Sequence, residues 1–404
     1  MKRIIMHIDV NNAFLSWTAV LLLKEGYKYD IRNSYAIIGG DEKNRSGIVL
    51  AKSTPAKKMG VVTAQTIYQA KKLCPALRVY PPNYNWYKTM SDKLFKLISK
   101  YSPDIERMSI DECFLDYTLV KHLYGDEIKF AYKLQKEIYD TLGFTVNVGI
   151  ANNRLCAKMA SDFSKPYKVH TLFDYEVHDK MWPLIVGDLF GVGKKTALKL
   201  HSLGIDKIED LAKADKDKLY KYFKNQAIEM INWANGISSD IIKSESDDPK
   251  GIGNETTLNH NIFDKEELYS YLLALSENVT LRLRKQNKYA YVVVVTLKDK
   301  TFRRTSHQKK LVNATNLSSE VYEISKRILD EMDTSEGIRL IGIRLDNLVD
   351  SSNHQVSLFE SLNIIEENKN LEKTVDNLKE KYGFTVIKKA SLIKNKVGKK
   401  YLNK

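Results

Sequence analysis

Ser109-Ile110-Asp111-Glu112-Cys113-Phe114 sets two adjacent carboxylates inside an apolar run, with Met108 before it and Leu115 after it. An ionised carboxylate resists leaving water unless something compensates it, and a divalent cation is the usual compensation. Neighbouring strand residues point to opposite faces, so aiming both acids at one ion requires a turn or bulge at Asp111–Glu112. Taken alone, such a dipeptide is more often a solvated turn. A third acid in matching surroundings changes the balance. Ile4-Ile5-Met6-His7-Ile8-Asp9-Val10 reads as a short buried strand ending in an acid, followed by Asn11-Asn12. Three carboxylates of this kind could hold two Mg²⁺ around a transferring phosphoryl group.

The 404 residues are enough for several domains. Lys and Arg number 64 against 50 Asp and Glu, a formal charge of +14. That surplus points to a polyanionic partner, nucleic acid ahead of a membrane surface, with general solubility as the plain alternative. Cys74, Cys113 and Cys156 form no CxxC pair and no zinc pattern, which fits a reducing cytoplasm. No apolar run approaches the ~20 residues of a membrane span.

Around the acidic stretch, the pattern predicts helices over Ala13 to Leu23, Tyr84 to Tyr101, Phe130 to Leu142 and Asn153 to Phe163. Strands are expected over 35–38, 47–51 and 144–150. This makes an α+β unit, an antiparallel sheet with helices on one face. Lys57-Lys58 lies on a short helix ending at Gly60, either a solvated face or a triphosphate contact. Residues 171–240 read as small and all-helical. There Gly191-Val192-Gly193-Lys194-Lys195 precedes a helix. It resembles a helix-hairpin-helix that grips a DNA backbone through N–H groups, with an ordinary tight turn as the alternative. Residues 241–250 suit a linker.

Residues 251–350 form a second α+β unit, with strands over Tyr289 to Leu297 and Gly337 to Leu345. Helices fit Lys265 to Gln286 and Ser318 to Met332. Between Asn278 and Lys310 lie ten Lys/Arg, among them Arg282, Arg284, Arg303 and Arg304, and one acid, Asp299. Such a segment can track a phosphate backbone or form a solvated basic face. In the tail, Gln355-Val356-Ser357-Leu358-Phe359 is a short peptide of the kind that docks in a partner's groove. Leu371, Val375 and Leu378 stripe a last helix that must pack somewhere.

Taken in order, these motifs resemble the Y-family of translesion DNA polymerases over about residues 3–360. Ile8-Asp9-Val10 and Ser109-Ile110-Asp111-Glu112 match, as do 148–153, 157–161, Lys165-Pro166, Gly191-Val192-Gly193 and 251–255. The resemblance implies a right hand. Its palm would be 1–22 and 82–170, its fingers 23–81, its thumb 171–240, its little finger 251–350, and 351–404 a tail. It implies error-prone, template-directed DNA synthesis past damaged bases, with primer-template DNA and deoxynucleoside triphosphates as substrates. Asp9, Asp111 and Glu112, with the Val10 carbonyl, would carry two Mg²⁺. Phe14 falls at the family's steric gate, and Lys57 and Lys158 at its triphosphate contacts. Gly191, Gly193, Lys194 and the four arginines named above would contact DNA. Gln355, Leu358 and Phe359 resemble the sliding-clamp peptide. A cytoplasmic monomer is expected. Ala51, Thr54 and Lys57 depart from the family's usual triphosphate contacts. The rival reading is a non-catalytic, clamp-tethered primer-template DNA-binding protein.

Overall fold

All six residues of β1 (Ile5–Val10) are buried, and they serve two different cores. Met6, Ile8 and Val10 enter one cluster and Ile5 another. Strand residues alternate between faces. One face of β1 is therefore wholly apolar, while the other carries Ile5, His7 and Asp9. The computed structural model describes residues 2–41, 47–239, 241–243, 248–350, 362–383, 386–387, 389–390 and 392, except for the side chains of 362–365. These fall into two units, one up to residue 243 and one from 248 onward.

In the first unit, α1 (Ala13–Lys24) follows β1 after Asn12, whose left-handed φ of 48° suits an asparagine. β2 (Ala36–Gly39), β3 (Val49–Lys52), α2 (Thr54–Lys58), α3 (Ile67–Leu73) and β4 (Arg78–Tyr80) come next. Their three strands form a small sheet in the order β3-β2-β4, with its own core around Ile37, Val49, Ile67 and Leu77.

α4 (Tyr84–Ile98), β5 (Ile105–Arg107), β6 (Glu112–Asp116), α5 (Lys121–Tyr124), α6 (Glu127–Leu142), β7 (Val146–Ala151), α7 (Arg154–Asp162) and β8 (Val169–Leu172) complete the main layer. Its sheet runs β5-β6-β1-β7-β8. β7 and β8 are parallel and the other pairs antiparallel. The expected antiparallel sheet with helices on one face is thus corrected to a mixed sheet covered on both. α4 and α6 bury Leu94, Ile98, Leu134 and Ile138 against Met6, Ile8, Val148 and Ile150. α7 lies on the opposite face, with Ala157 and Ala160 against Ile5 and Ala151. Gly149 makes that second layer possible, because a Cβ there would stand 2.4 Å from Ser161 N. The helical region holds α8 (Lys194–His201), α9 (Ile208–Ala212), α10 (Lys216–Phe223) and α11 (Asn225–Ala234).

The second unit runs β9 (Gly251–Ile262), α12 (Lys265–Lys285), β10 (Tyr289–Asp299), β11 (Arg304–Thr315), α13 (Ser318–Asp330), β12 (Ile338–Val349) and α14 (Leu362–Tyr382). The sheet is antiparallel, in the order β11-β10-β12-β9. α12 and α13 pack Leu272, Leu275, Val321 and Ile328 on Val293, Val295, Ile341 and Ile343. β9 and β11 were not legible as strands, since Arg304 to Lys310 is exposed throughout and carries no apolar alternation. Among the described residues no helix is long and apolar enough to cross a membrane.

Candidate active site

Asp9 stands opposite Glu112 where the antiparallel ladder of β1 and β6 ends, and opposite Asn147 on β7. Asp111 lies in the turn just before β6. Met108 and Ser109 N–H both donate to the Glu112 carbonyl there, at 3.1 and 3.2 Å. The Val10 N–H donates to the Asp111 carbonyl at 3.0 Å, stitching the turn to β1. A turn, rather than a bulge within a strand, is what brings the adjacent acids to one edge.

Two lysines reach into this edge. Lys158 on α7 is 9% exposed. Its Nζ donates to Glu112 Oε2 at 2.8 Å and lies 3.5 Å from Asp9 Oδ2 and 3.4 Å from Asp162 Oδ2. Lys165 donates to Asp9 and sits 2.8 Å from Asp162. Neither ammonium is free, and four carboxylates face two cations. Unmatched negative charge remains, and at Asp111 it adds to a larger effect of burial. Burial first, then Asp9 and Glu112, push its carboxyl up, against a hydrogen bond from Ser109. Glu112 is pulled down to about 2, chiefly by its contact with His7 and, against burial, by Lys158.

His7 and Asn147 are polar residues at fully buried strand positions. His7 Nε2 lies 3.3 Å from Glu112 Oε2, a long contact, and Nδ1 is 2.8 Å from Ser161 Oγ. Asn147 donates to the Ser161 and Ser164 carbonyls at 2.9 and 2.6 Å and accepts from Asn11 at 3.1 Å. These residues, with Lys165, were not foreseen as part of the site. The available signal was a polar side chain in phase with Asp9 on an otherwise apolar strand.

The residues fit a hard divalent cation, which prefers oxygen ligands, because the donors are carboxylates carrying excess charge. They are not a ready cage. Among the described residues no three His, Cys, Asp or Glu side chains stand together at metal-holding geometry, and the lysine ammoniums lie among the acids.

Phe14 on α1 is partly buried, with one ring face against Tyr87 at a centroid distance of 4.6 Å and 8°. Lys57 stands apart, exposed on α2; nearby Lys52 is lowered by burial first and then by the Lys57 charge. Gly191 has φ of 95° with Trp233 packed where a Cβ would go, and Gly193 caps exposed Lys194 at the start of α8.

Arg303 is exposed in the β10–β11 turn. Arg304 pairs with Glu255 at 2.7 Å, and Arg282 donates to the Gly253 carbonyl at 2.9 Å. Arg284 departs from expectation. Its guanidinium donates to Asp376 at 2.6 and 3.0 Å and to the Asn316 carbonyl at 2.7 Å, and lies 2.9 Å from Glu372. Its fork is committed to α14, so the reading of Arg284 as a phosphate contact is withdrawn. Gln355, Leu358 and Phe359 lie outside the described residues.

Comparison with known proteins agrees with this picture. The chain matches the impB/mucB/samB family over residues 8–162 and that family's C-terminal domain over 249–358. Residues 187–222 match a SAM-like helix-hairpin-helix tandem. It is 45% identical to DNA polymerase IV of Clostridium acetobutylicum, covering 97% of this chain and 99% of that one. It is 32% identical to DNA polymerase IV 1 of Bacillus subtilis, covering 98% and 95%. Among solved structures, a Y-family DNA polymerase chimera of Dbh and Dpo4 shares the fold with a TM-score of 0.76 at 24% identity, over 86% of this chain and all of that one. An insertion ternary complex of Dbh DNA polymerase gives 0.59 at 25% identity, over 86% and 100%. The fold is the right hand with an added little finger that the sequence resemblance implied. With acids, lysines and fold in agreement, the chain belongs to the impB/mucB/samB family, the Y-family of DNA polymerases, and is a DNA-directed DNA polymerase of translesion synthesis.

Proposed function

We propose that Asp9, Asp111 and Glu112, with the Val10 carbonyl, hold two Mg²⁺ ions where the primer terminus meets the incoming deoxynucleotide. Y-family polymerases use divalent metal ions. The observation that carries the reading is the in-register pairing of Asp9 with Glu112, with Asp111 in the adjoining turn. Bound there, the cations would favour ionisation of the primer hydroxyl and neutralise charge on the triphosphate. Lys158 and Lys57 bind triphosphate oxygens, and Lys158 would exchange its carboxylate partners for them. Phe14, backed by Tyr87, blocks a ribose 2′-OH. Catalysis is then positioning and electrostatics, without a nucleophilic side chain.

The same reading assigns the palm to 1–22 and 82–170, the fingers to 23–81 and the thumb to 171–240. A linker at 241–250 leads to the little finger at 251–350. Gly191, Gly193 and Lys194 hold a DNA phosphate at the thumb hairpin, and Arg282, Arg303 and Arg304 follow the backbone along the little finger. Gln355, Leu358 and Phe359 bind a sliding clamp. The enzyme acts as a monomer in the cytoplasm, where its three buried free cysteines stay reduced.

Primer extension on an abasic template, with and without magnesium, tests the site. Asp111→Ala and Glu112→Ala should each lower extension by about 10³-fold or more. Undiminished extension by either variant overturns the assignment and favours a purely DNA-binding role.

A further inference from the structure

We propose that His7 is a positioning residue for this reaction, holding the Glu112 carboxylate in place for its cation. The inference rests on the reading of Glu112 as a metal ligand. His7 is fully buried on β1 and shares a face with Asp9 two residues on. The position directly opposite it on β6 is Phe114, whose ring lies 4.8 Å from the imidazole. An apolar side chain would fill this place at lower cost, since a buried polar ring must find partners for its nitrogens. Nδ1 has such a partner, whereas Nε2 makes no hydrogen bond in this structure and lies beside a carboxylate just beyond hydrogen-bond geometry. Nδ1 is 2.8 Å from Ser161 Oγ and Nε2 is 3.3 Å from Glu112 Oε2.

Ser161 sets the direction of this chain. Its hydroxyl is 2.8 Å from both His7 Nδ1 and the Lys158 carbonyl, and has one hydrogen to give. Given to the Lys158 carbonyl, that hydrogen makes Nδ1 the ring donor; the brace requires the hydroxyl to turn to Nδ1 instead, which leaves the ring hydrogen on Nε2, facing Glu112. Ser161 is itself fixed by the close seat of α7 on Gly149. In that arrangement the brace runs from the helix backbone through the imidazole to the carboxylate.

Lys158 grips the same oxygen, but it carries a full positive charge beside an incoming cation and is shared with Asp9 and Asp162. An imidazole N–H holds a carboxylate without adding that repulsion. It also removes part of the rotamer freedom that Glu112 would otherwise lose on binding a metal. Groups that orient a ligating carboxylate typically contribute about 10–100-fold in metal affinity or activity.

The test is Mn²⁺ binding, read by electron paramagnetic resonance, to the full-length enzyme with a dideoxy-terminated primer-template and the next deoxynucleotide. Binding is thereby measured without turnover. His7→Phe keeps ring volume and loses the N–H, and should raise the half-saturating Mn²⁺ concentration about 10–100-fold. His7→Gln, whose amide can still donate toward Glu112, should recover most of that loss. In extension assays, His7→Phe should need more Mg²⁺ for half-maximal rate while approaching the wild-type rate at saturation. If His7→Phe does not fold, His7→Asn, whose shorter amide stays on the Ser161 side, replaces it under the same criteria. Wild-type Mn²⁺ binding by the folded variant overturns the proposal, as does a loss that His7→Gln leaves unrelieved. Glu112→Gln is the control. If it also binds Mn²⁺ normally, the metal-site reading fails. If it weakens binding while His7→Phe does not, only the role of His7 fails.

Discussion

A Cβ placed on Gly149 would fall 2.1 Å from the Ala157 carbonyl oxygen, so β7 and α7 meet backbone to backbone. No real Cβ tolerates such an approach, and the obstacle is main chain rather than a side-chain tip that could swing away. This contact seats Lys158 over the acids and Ser161 behind His7. Gly149→Ala should therefore cost about 3 kcal/mol of stability, the upper end of ordinary overpacking. It should also reduce extension through displacement of α7. Urea unfolding and primer extension check both. A variant as stable as the parent would mean that α7 can lift without penalty.

Phe14 presents one face to Tyr87, whose hydroxyl is paired with Thr18 Oγ1 at 2.8 Å. A ring held this way cannot turn aside to admit an extra hydroxyl. Phe14→Ala should raise the ratio of ribonucleotide to deoxynucleotide incorporation about tenfold or more, the scale at which a pocket discriminates a small group. Single-nucleotide kinetics with both sugars measure it. An unchanged ratio leaves Phe14 as core packing only.

The acids make opposite contributions to stability. Glu112 is depressed in the folded state from its ordinary 4.5 to about 2. Its stabilisation is complete above pH ~4.5 and is lost as the pH falls toward ~2. Asp111 is raised, so its ionisation costs folding energy as the pH climbs through its range. Denaturant midpoints followed against pH should show Glu112→Gln flattening the acid limb. Asp111→Asn should stabilise the fold at neutral pH while abolishing extension. If Asp111→Asn proves destabilising at neutral pH, the claim of excess negative charge at this edge is wrong.

Arg284 makes a different kind of claim, since its fork is spent on Asp376, Glu372 and the Asn316 carbonyl. Breaking a largely buried pair by removing one partner typically costs about 3–5 kcal/mol. Arg284→Ala should therefore loosen α14 and lower thermal stability. The salt dependence of DNA binding should stay as in the parent, whereas loss of a phosphate contact would reduce its slope by about one. A reduced slope with an unchanged melting temperature would return Arg284 to the DNA.

Much of this protein was legible from local pattern. The apolar run ending in Asp9, the paired acids at 111 and 112, and the glycines at 191 and 193 carry their own turn and strand chemistry. Their order along the chain sufficed to indicate the family. The long amphipathic helices around Leu94 and Leu134 followed from periodicity for the same reason. β9, β11 and the parallel strand β8 did not, because edge or half-exposed strands have no apolar alternation to betray them.

The companions of the acids were hidden for a physical reason. His7, Asn147 and Ser161 are ordinary residues until the sheet sets them in phase and a helix comes down on Gly149. Lys158 and Lys165 become partners of Asp9 only across some 150 residues of chain. The direction of Arg284 depended on where α14 comes to rest. Which residues could do chemistry, and in what local conformation, followed from a few neighbouring side chains along the chain. Which charges face one another followed from the folded packing, because that depends on how strands register and how closely two backbones can approach.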